Sequence, residues 1–307
     1  MGNRVSQGRL INGKSKIEVS DREIDLSNHR MLNNDYSLDL KKIVVLLKGN
    51  IILVCRIDES GEAIFDRSIK LNSPPLNSIV VVEKYLYLPL YGDRLCKISL
   101  ENYEYQVIDL NTKEVYHGIG YIPKYEKFVL LTTTWTFSVF NSIFQKESAI
   151  DAKDGIFNFQ VLDGTSNLIS CYSYDQETFY RVYTYSLSSK GHLEISDLGL
   201  FYNNWKDPSN GFCFEKDSSC MYVSFNDTIE KYEYRRDGLT MVWKYNLNFS
   251  GKEYTTTTLF DLGEELWVKR GNKIFTLSKV SGKLIEYKEE SKDIKCFLIE
   301  GKMVRMK

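Results

Sequence analysis

The chain has 307 residues, 13% of them Phe, Trp or Tyr, and its 40 Lys and Arg nearly cancel its 41 Asp and Glu. Charge so balanced and scattered argues against a nucleic-acid partner, which needs a basic excess or a basic stripe. The most apolar stretch, Ile43 to Cys55, is broken by Lys48-Gly49-Asn50; a membrane helix needs roughly 18 continuous apolar residues, so no membrane partner is expected.

Taken in chain order, the first elements are a strand at Arg4–Gln7, a turn at Asn12-Gly13 and a strand at Ser15–Val19. Met1-Gly2 with Ser6 fits a myristoylation pattern, but a Gly2 held in a hairpin turn suits a lipid poorly, and one chain anchors weakly. The first 30 residues lack an apolar run followed by a small-residue cleavage site, so no leader is expected. After the connection Asp21–Asn34 comes a strand at Ile43–Leu47, a Gly49-Asn50 turn and a strand at Ile51–Ile57. A wider turn at Glu59-Ser60-Gly61 leads to a strand at Ala63–Leu71. Gly, and to a lesser degree Asn, accept the positive φ that tight hairpins demand.

The same pattern returns at Tyr85–Tyr91, Gly92-Asp93 and Leu95–Leu100. It returns again at Met221–Phe225, Asn226-Asp227 and Thr228–Tyr234, and once more at Leu266–Arg270, Gly271-Asn272 and Lys273–Ser278. The turns at Gly49 and Gly92, and those at Asn226 and Gly271, stand one blade-length apart, and four-stranded propeller blades repeat about every 40–45 residues. Two further turns are expected in the gap, at Thr132–Thr134 and Asp175-Gln176. The final Lys302–Lys307 reads as a strand lacking its Gly-Asn turn, which Met1-Gly2-Asn3 supplies. The expected fold is therefore all-β. It is a single domain over residues 1–307, a seven-bladed propeller of four-stranded antiparallel blades, closed by N-terminal strands pairing with the C-terminal half-blade.

Arg56–Phe65 and Leu277–Tyr287, and more loosely Arg235–Lys244, resemble the repeat of quinoprotein-like propellers, in which a Gly turn joins the outer strands and an aromatic packs between blades. The resemblance implies a propeller and little chemistry, since no quinone- or calcium-docking motif matches. Likeness to WD-repeat propellers is weaker, with no Trp-Asp pair and a solitary Gly191-His192.

Six cysteines without CxxC spacing (Cys55, Cys96, Cys171, Cys213, Cys220, Cys296) read as buried, reduced thiols of a cytoplasmic protein. Cys213 and Cys220 are the pair best placed to bridge. Neither a metal nor another cofactor is expected.

In such a fold the second-to-third-strand turns and the connections between blades open on one face, where function usually resides. Candidate partner-binding residues there are Trp205, Tyr202 and Asn204 of the connection Gly199–Asn210, His117, Asp154 and Tyr254 of other connections, and Arg94 and Arg270 beside the turns. Trp and Tyr offer rigid apolar area with a hydrogen-bonding handle. The sequence thus favours a non-enzymatic module holding a protein or peptide partner. The alternative is a lyase- or hydrolase-type enzyme using His117 with an arginine and a carboxylate in the channel.

Overall fold

The computed structural model describes residues 6–8, 17–22, 31–37, 39–59, 62–71, 78–151, 156–161, 167–174, 179–188, 190–202, 212–215, 219–225, 227–235, 238–247, 257–289, 296–299 and 302–305. Within them every element is a strand, apart from a 3-10 turn at Pro123–Tyr125. None is a helix long and apolar enough to cross a membrane. The chain forms two compact units, one of Met1–Asp154, Ser188–Leu193 and Arg305–Lys307, the other of Gly155–Leu187 and Glu194–Val304.

The first unit holds three sheets. The first comprises β1 (Ser6–Gly8), β2 (Ile17–Ser20), β3 (Met31–Ser37), β4 (Lys42–Leu47), β5 (Ile51–Ile57) and β6 (Ala63–Leu71), in the order β1-β2-β6-β5-β4-β3. The second has β7 (Val80–Val82), β8 (Tyr85–Leu90), β9 (Arg94–Ser99) and β10 (Tyr105–Asp109). The third has β11 (Tyr116–Ile122), β12 (Lys127–Thr132), β13 (Thr136–Phe140) and β14 (Lys146–Asp151). Both run strand by strand in chain order.

In the second unit the same up-and-down order builds β15 (Ile156–Val161) to β18 (Leu193–Tyr202) through β16 (Asn167–Tyr174) and β17 (Phe179–Leu187). It also builds β19 (Phe212–Phe214), β20 (Cys220–Phe225), β21 (Thr228–Arg235) and β22 (Gly238–Asn246), then β23 (Thr257–Leu262), β24 (Glu265–Arg270), β25 (Lys273–Ser278) and β26 (Leu284–Glu289). A two-stranded sheet, β27 (Cys296–Ile299) and β28 (Lys302–Arg305), comes last.

One backbone template recurs. The middle strands are apolar runs, and β4 is buried from end to end, whereas the fourth strands β14 and β26 are largely or wholly exposed. The first-to-second-strand turn carries a left-handed residue at Lys41, Glu83, Glu126 and Gly263, with φ of 48°, 55°, 51° and 61°. Past the third strand, the fourth residue on is again left-handed: Tyr103, Phe144, Gly191 and Gly282, with φ of 62°, 61°, 79° and 67°. The carbonyls of Asn50, Asp93 and Asp227 accept the N–H of Leu71, Leu110 and Leu247 at 3.1, 2.8 and 2.6 Å. Each of those leucines is followed by Asn, at 72, 111 and 248.

Neighbouring sheets meet through that third-to-fourth turn. Tyr103 donates its hydroxyl to Asp66 Oδ2 at 2.7 Å, while Lys42 Nζ reaches the Leu100 carbonyl at 2.6 Å and Asp66 at 2.9 Å. Phe144 sits 4.8 Å from the Phe128 ring and 5.8 Å from Tyr87. In the second unit Gly282 leaves the space open, and the Trp243 indole fills it, donating Nε1–H to the Lys279 carbonyl at 2.9 Å. Lys279 Nζ lies 2.7 Å from both Glu215 and Asp261.

Two expectations are corrected. Five sheets among the described residues are four-stranded, rather than seven, with the first widened to six strands and the last reduced to two. Among the described residues the N-terminal strands do not pair with the C-terminal half-blade; β2 pairs antiparallel with β6, Ile17 opposite Leu71 and Val19 opposite Ile69. The reason is burial: this register seals Ile17, Ile69 and Leu71 to 4% exposure or less on an edge that would otherwise be wet. The expectation of reduced thiols agrees with Cys55, Cys96, Cys213 and Cys220, none of which is in a disulfide. The ladder sets Cys213 opposite Tyr222, away from Cys220.

Candidate functional site

The Leu-to-turn hydrogen bonds place the second-to-third-strand turn and the onward connection at the same end of a sheet. In the second sheet Asp93 reinforces this, its Oδ2 accepting the Lys113 N–H at 3.0 Å. The connection Asn111–Val115 is thereby fixed beside the turn Tyr91–Asp93, where Tyr91 is 49% exposed. Glu114 in that connection accepts from Lys146 Nζ at 2.8 Å and from the Tyr116 hydroxyl. Burial alone would raise the Glu114 pKa, but those hydrogen bonds outweigh it and hold the carboxyl below its ordinary value. Burial, with the Glu114 bond second, pushes the Tyr116 hydroxyl up.

The rim continues into the third sheet, where the Thr133 N–H meets the Val115 carbonyl at 2.8 Å. The turn Thr132–Thr136 is closed by Trp135 N–H to the Thr132 carbonyl at 3.1 Å and by Thr136 N–H to Thr132 Oγ1 at 2.9 Å. Thr136 Oγ1 donates to Asp151 Oδ1 at 2.9 Å. Trp135 is left-handed, with φ of 65°. Against it stands His117, ring centroids 5.4 Å apart, edge to face.

His117 is not a loop residue as expected. It lies in β11 as the extra residue of a β-bulge, Tyr116 facing Thr132 and Gly118 facing Leu131. Its Nε2 is sealed from solvent without a hydrogen-bond partner among the described residues. Burial lowers its pKa below the usual histidine value, so the ring is neutral at pH 7.

Of the other candidates, Arg94 folds back on its own turn, donating Nε–H and Nη2–H to the Tyr91 carbonyl at 3.2 and 2.9 Å. Arg270 pairs with Asp227 at 2.8 Å, joining the turns of two successive sheets in the second unit. Tyr202 ends β18. Asp154, Asn204, Trp205 and Tyr254 lie outside the described residues. The contact that sequence reading missed is Trp135 on His117. The signal available was a Trp in the turn position where the first sheet carries Asn50, left-handed at φ of 58°. In the first unit the turns and the connection Asn111–Val115 make a polar rim bearing two aromatic side chains, Tyr91 and Trp135. Among the described residues no group of three His, Cys, Asp or Glu is arranged to hold a metal ion.

No protein-family model matches the chain, and a search of curated proteins finds no match. Among solved structures it resembles the crystal structure of BamB from Moraxella catarrhalis, with a TM-score of 0.51 over 99% of this chain and 91% of that one, at 8% identity. The fold is an all-β propeller of small antiparallel sheets. At that identity the likeness concerns fold alone.

Proposed function

We propose that this propeller is a non-enzymatic module that holds a protein or peptide partner on the rim formed by its second-to-third-strand turns and onward connections. The observation that carries the reading is the cross-tying of that rim in the first unit: the Leu110 and Lys113 N–H groups bind Asp93 and tie the connection Asn111–Val115 to the turn bearing Tyr91, and the Thr133 N–H ties it to the turn bearing Trp135. A pre-ordered aromatic surface loses little conformational freedom on binding. The unbridged, buried thiols of Cys55 and Cys96, with burial pushing Cys55 up to about 12, suit a reducing cytoplasm.

The test is capture from the native host, followed by affinity measurement with the partner so identified. Tyr91→Ala should weaken binding by about 2 kcal/mol or more, the scale of an interface hot spot. Ile143→Ala, 70% exposed in a third-to-fourth-strand turn at the other end of its sheet, should leave it unchanged. The reverse result would move the binding face to the other end.

A further inference from the structure

The third sheet departs from the chain's own template at two positions, and the two residues touch. First strands bulge at their second residue in three sheets: Leu32 in β3, Phe157 in β15 and His117 in β11. Two of these positions hold large apolar residues; the third holds a titratable ring whose Nε2 has no partner among the described residues. In the second-to-third turn, the left-handed residue just before the third strand of the first sheet is Asn50, a type that tolerates that conformation. In the third sheet it is Trp135, for which a φ of 65° is strained. The indole rests on the imidazole at 5.4 Å. One departure alone is a local oddity. Two in mutual contact form a device.

We propose that His117 is a pH-sensitive latch on Trp135: the neutral ring holds the indole and its strained turn in place, and protonation releases them. A proton on the half-buried imidazole places charge beside an Nε2 that is sealed from solvent and has no hydrogen-bond partner among the described residues, a state costlier than the ring turned into water. The bulge gives β11 the local freedom to turn His117 outward, and release lets Trp135 leave its left-handed conformation.

The charged groups on the surrounding elements are already engaged. Glu114, before β11, holds Lys146 and Tyr116; Asp151 on β14 holds Thr136; and Asp93 takes the N–H of Lys113. The turn Thr132–Thr136 itself carries no charge. Burial alone accounts for the lowered His117 pKa.

The inference does not rest on the binding reading, and its test needs only the purified chain. The protein has three histidines, so ¹⁵N-histidine NMR follows all of them, with His117→Phe assigning the signal. Titrated from about pH 8 to about pH 4.5, His117 should protonate below the ordinary value of about 6.5. Tryptophan fluorescence should change over the same interval while the β-sheet circular dichroism holds. Trp135→Phe should remove most of that change. His117→Phe should abolish it, with the indole still present. A His117 pKa at or above about 6.5 would overturn the latch. So would an optical change that survives His117→Phe, a flat fluorescence titration, or loss of sheet signal in the same interval.

Discussion

Gly282 and Gly49 are both left-handed, yet their surroundings separate two reasons for glycine. A Cβ at Gly282 would lie 2.6 Å from the Trp243 ring, whereas a Cβ at Gly49 would meet nothing within 4 Å. Gly49→Ala should cost only the left-handed penalty, roughly 1–2 kcal/mol. Gly282→Ala should cost that and the displaced indole as well, roughly 3 kcal/mol or more, since overpacking adds 1–3. Urea unfolding of the two variants measures the gap, and equal losses would remove the Trp243 contact from the account. The Gly-Asn and Ser-Gly turns were legible in the sequence because glycine advertises positive φ. Tyr103 and Phe144 use the same backbone conformation without glycine, so local composition did not mark them, and the turn before Trp135 was found only from the repeat spacing.

Elements were legible in proportion to their burial. β5, β6 and β25 match the sequence reading residue for residue, and β5 and β25 do so because their apolar runs begin at sharp turns. First strands were missed: β3 carries Asn33, Asn34 and Asp35 and is bulged, and β7 spans only three residues. The Leu-Asn pairs at the ends of β6, β10 and β22 would have marked the ends of three blades. The contact between the first two sheets yields a pH-dependent prediction. Burial raises the Asp66 pKa, but hydrogen bonds from Tyr103 and Lys42 and the Lys42 charge outweigh it, leaving the carboxyl lower than usual. A lowered carboxyl stabilises the fold above its unfolded pKa, near 3.9, and that stability is lost as pH falls through the folded value. Tyr103→Phe should cost about 1–2 kcal/mol at neutral pH, the scale of a bond to a partly buried charge. Because the variant's Asp66 is less depressed, its deficit against the parent should shrink in acid. Urea midpoints at about pH 6 and about pH 3 check this, and a deficit that grows in acid would contradict it.

At the scale of the whole molecule, the propeller was legible because a repeat of strand lengths and turns survives where individual residues vary. The placement of the ends was not. Resemblance between Met1–Val19 and the third and fourth strands of a blade describes what the segment is, and says nothing about which open edge it joins. The edge of β6 wins through its own apolar half, Ile69 and Leu71, which accept Ile17 and Val19 in register. Removing residues 1–20 should therefore cost the burial of one hairpin and leave the sheets folded. Fully burying one aliphatic side chain contributes about 1.5–3 kcal/mol, and three are sealed here. The loss should reach several kcal/mol, with β6 left as an exposed apolar edge prone to pairing between molecules. Ile17→Lys, at a position 1% exposed, should mimic the deletion by detaching β2 while the chain keeps its length. Circular dichroism should retain sheet signal in both variants, urea midpoints should fall by similar amounts, and size-exclusion chromatography should show association in both. A truncated chain that fails to fold at all would mean that the hairpin completes a sheet elsewhere. One as stable as the parent would mean that the β6 edge stands without it.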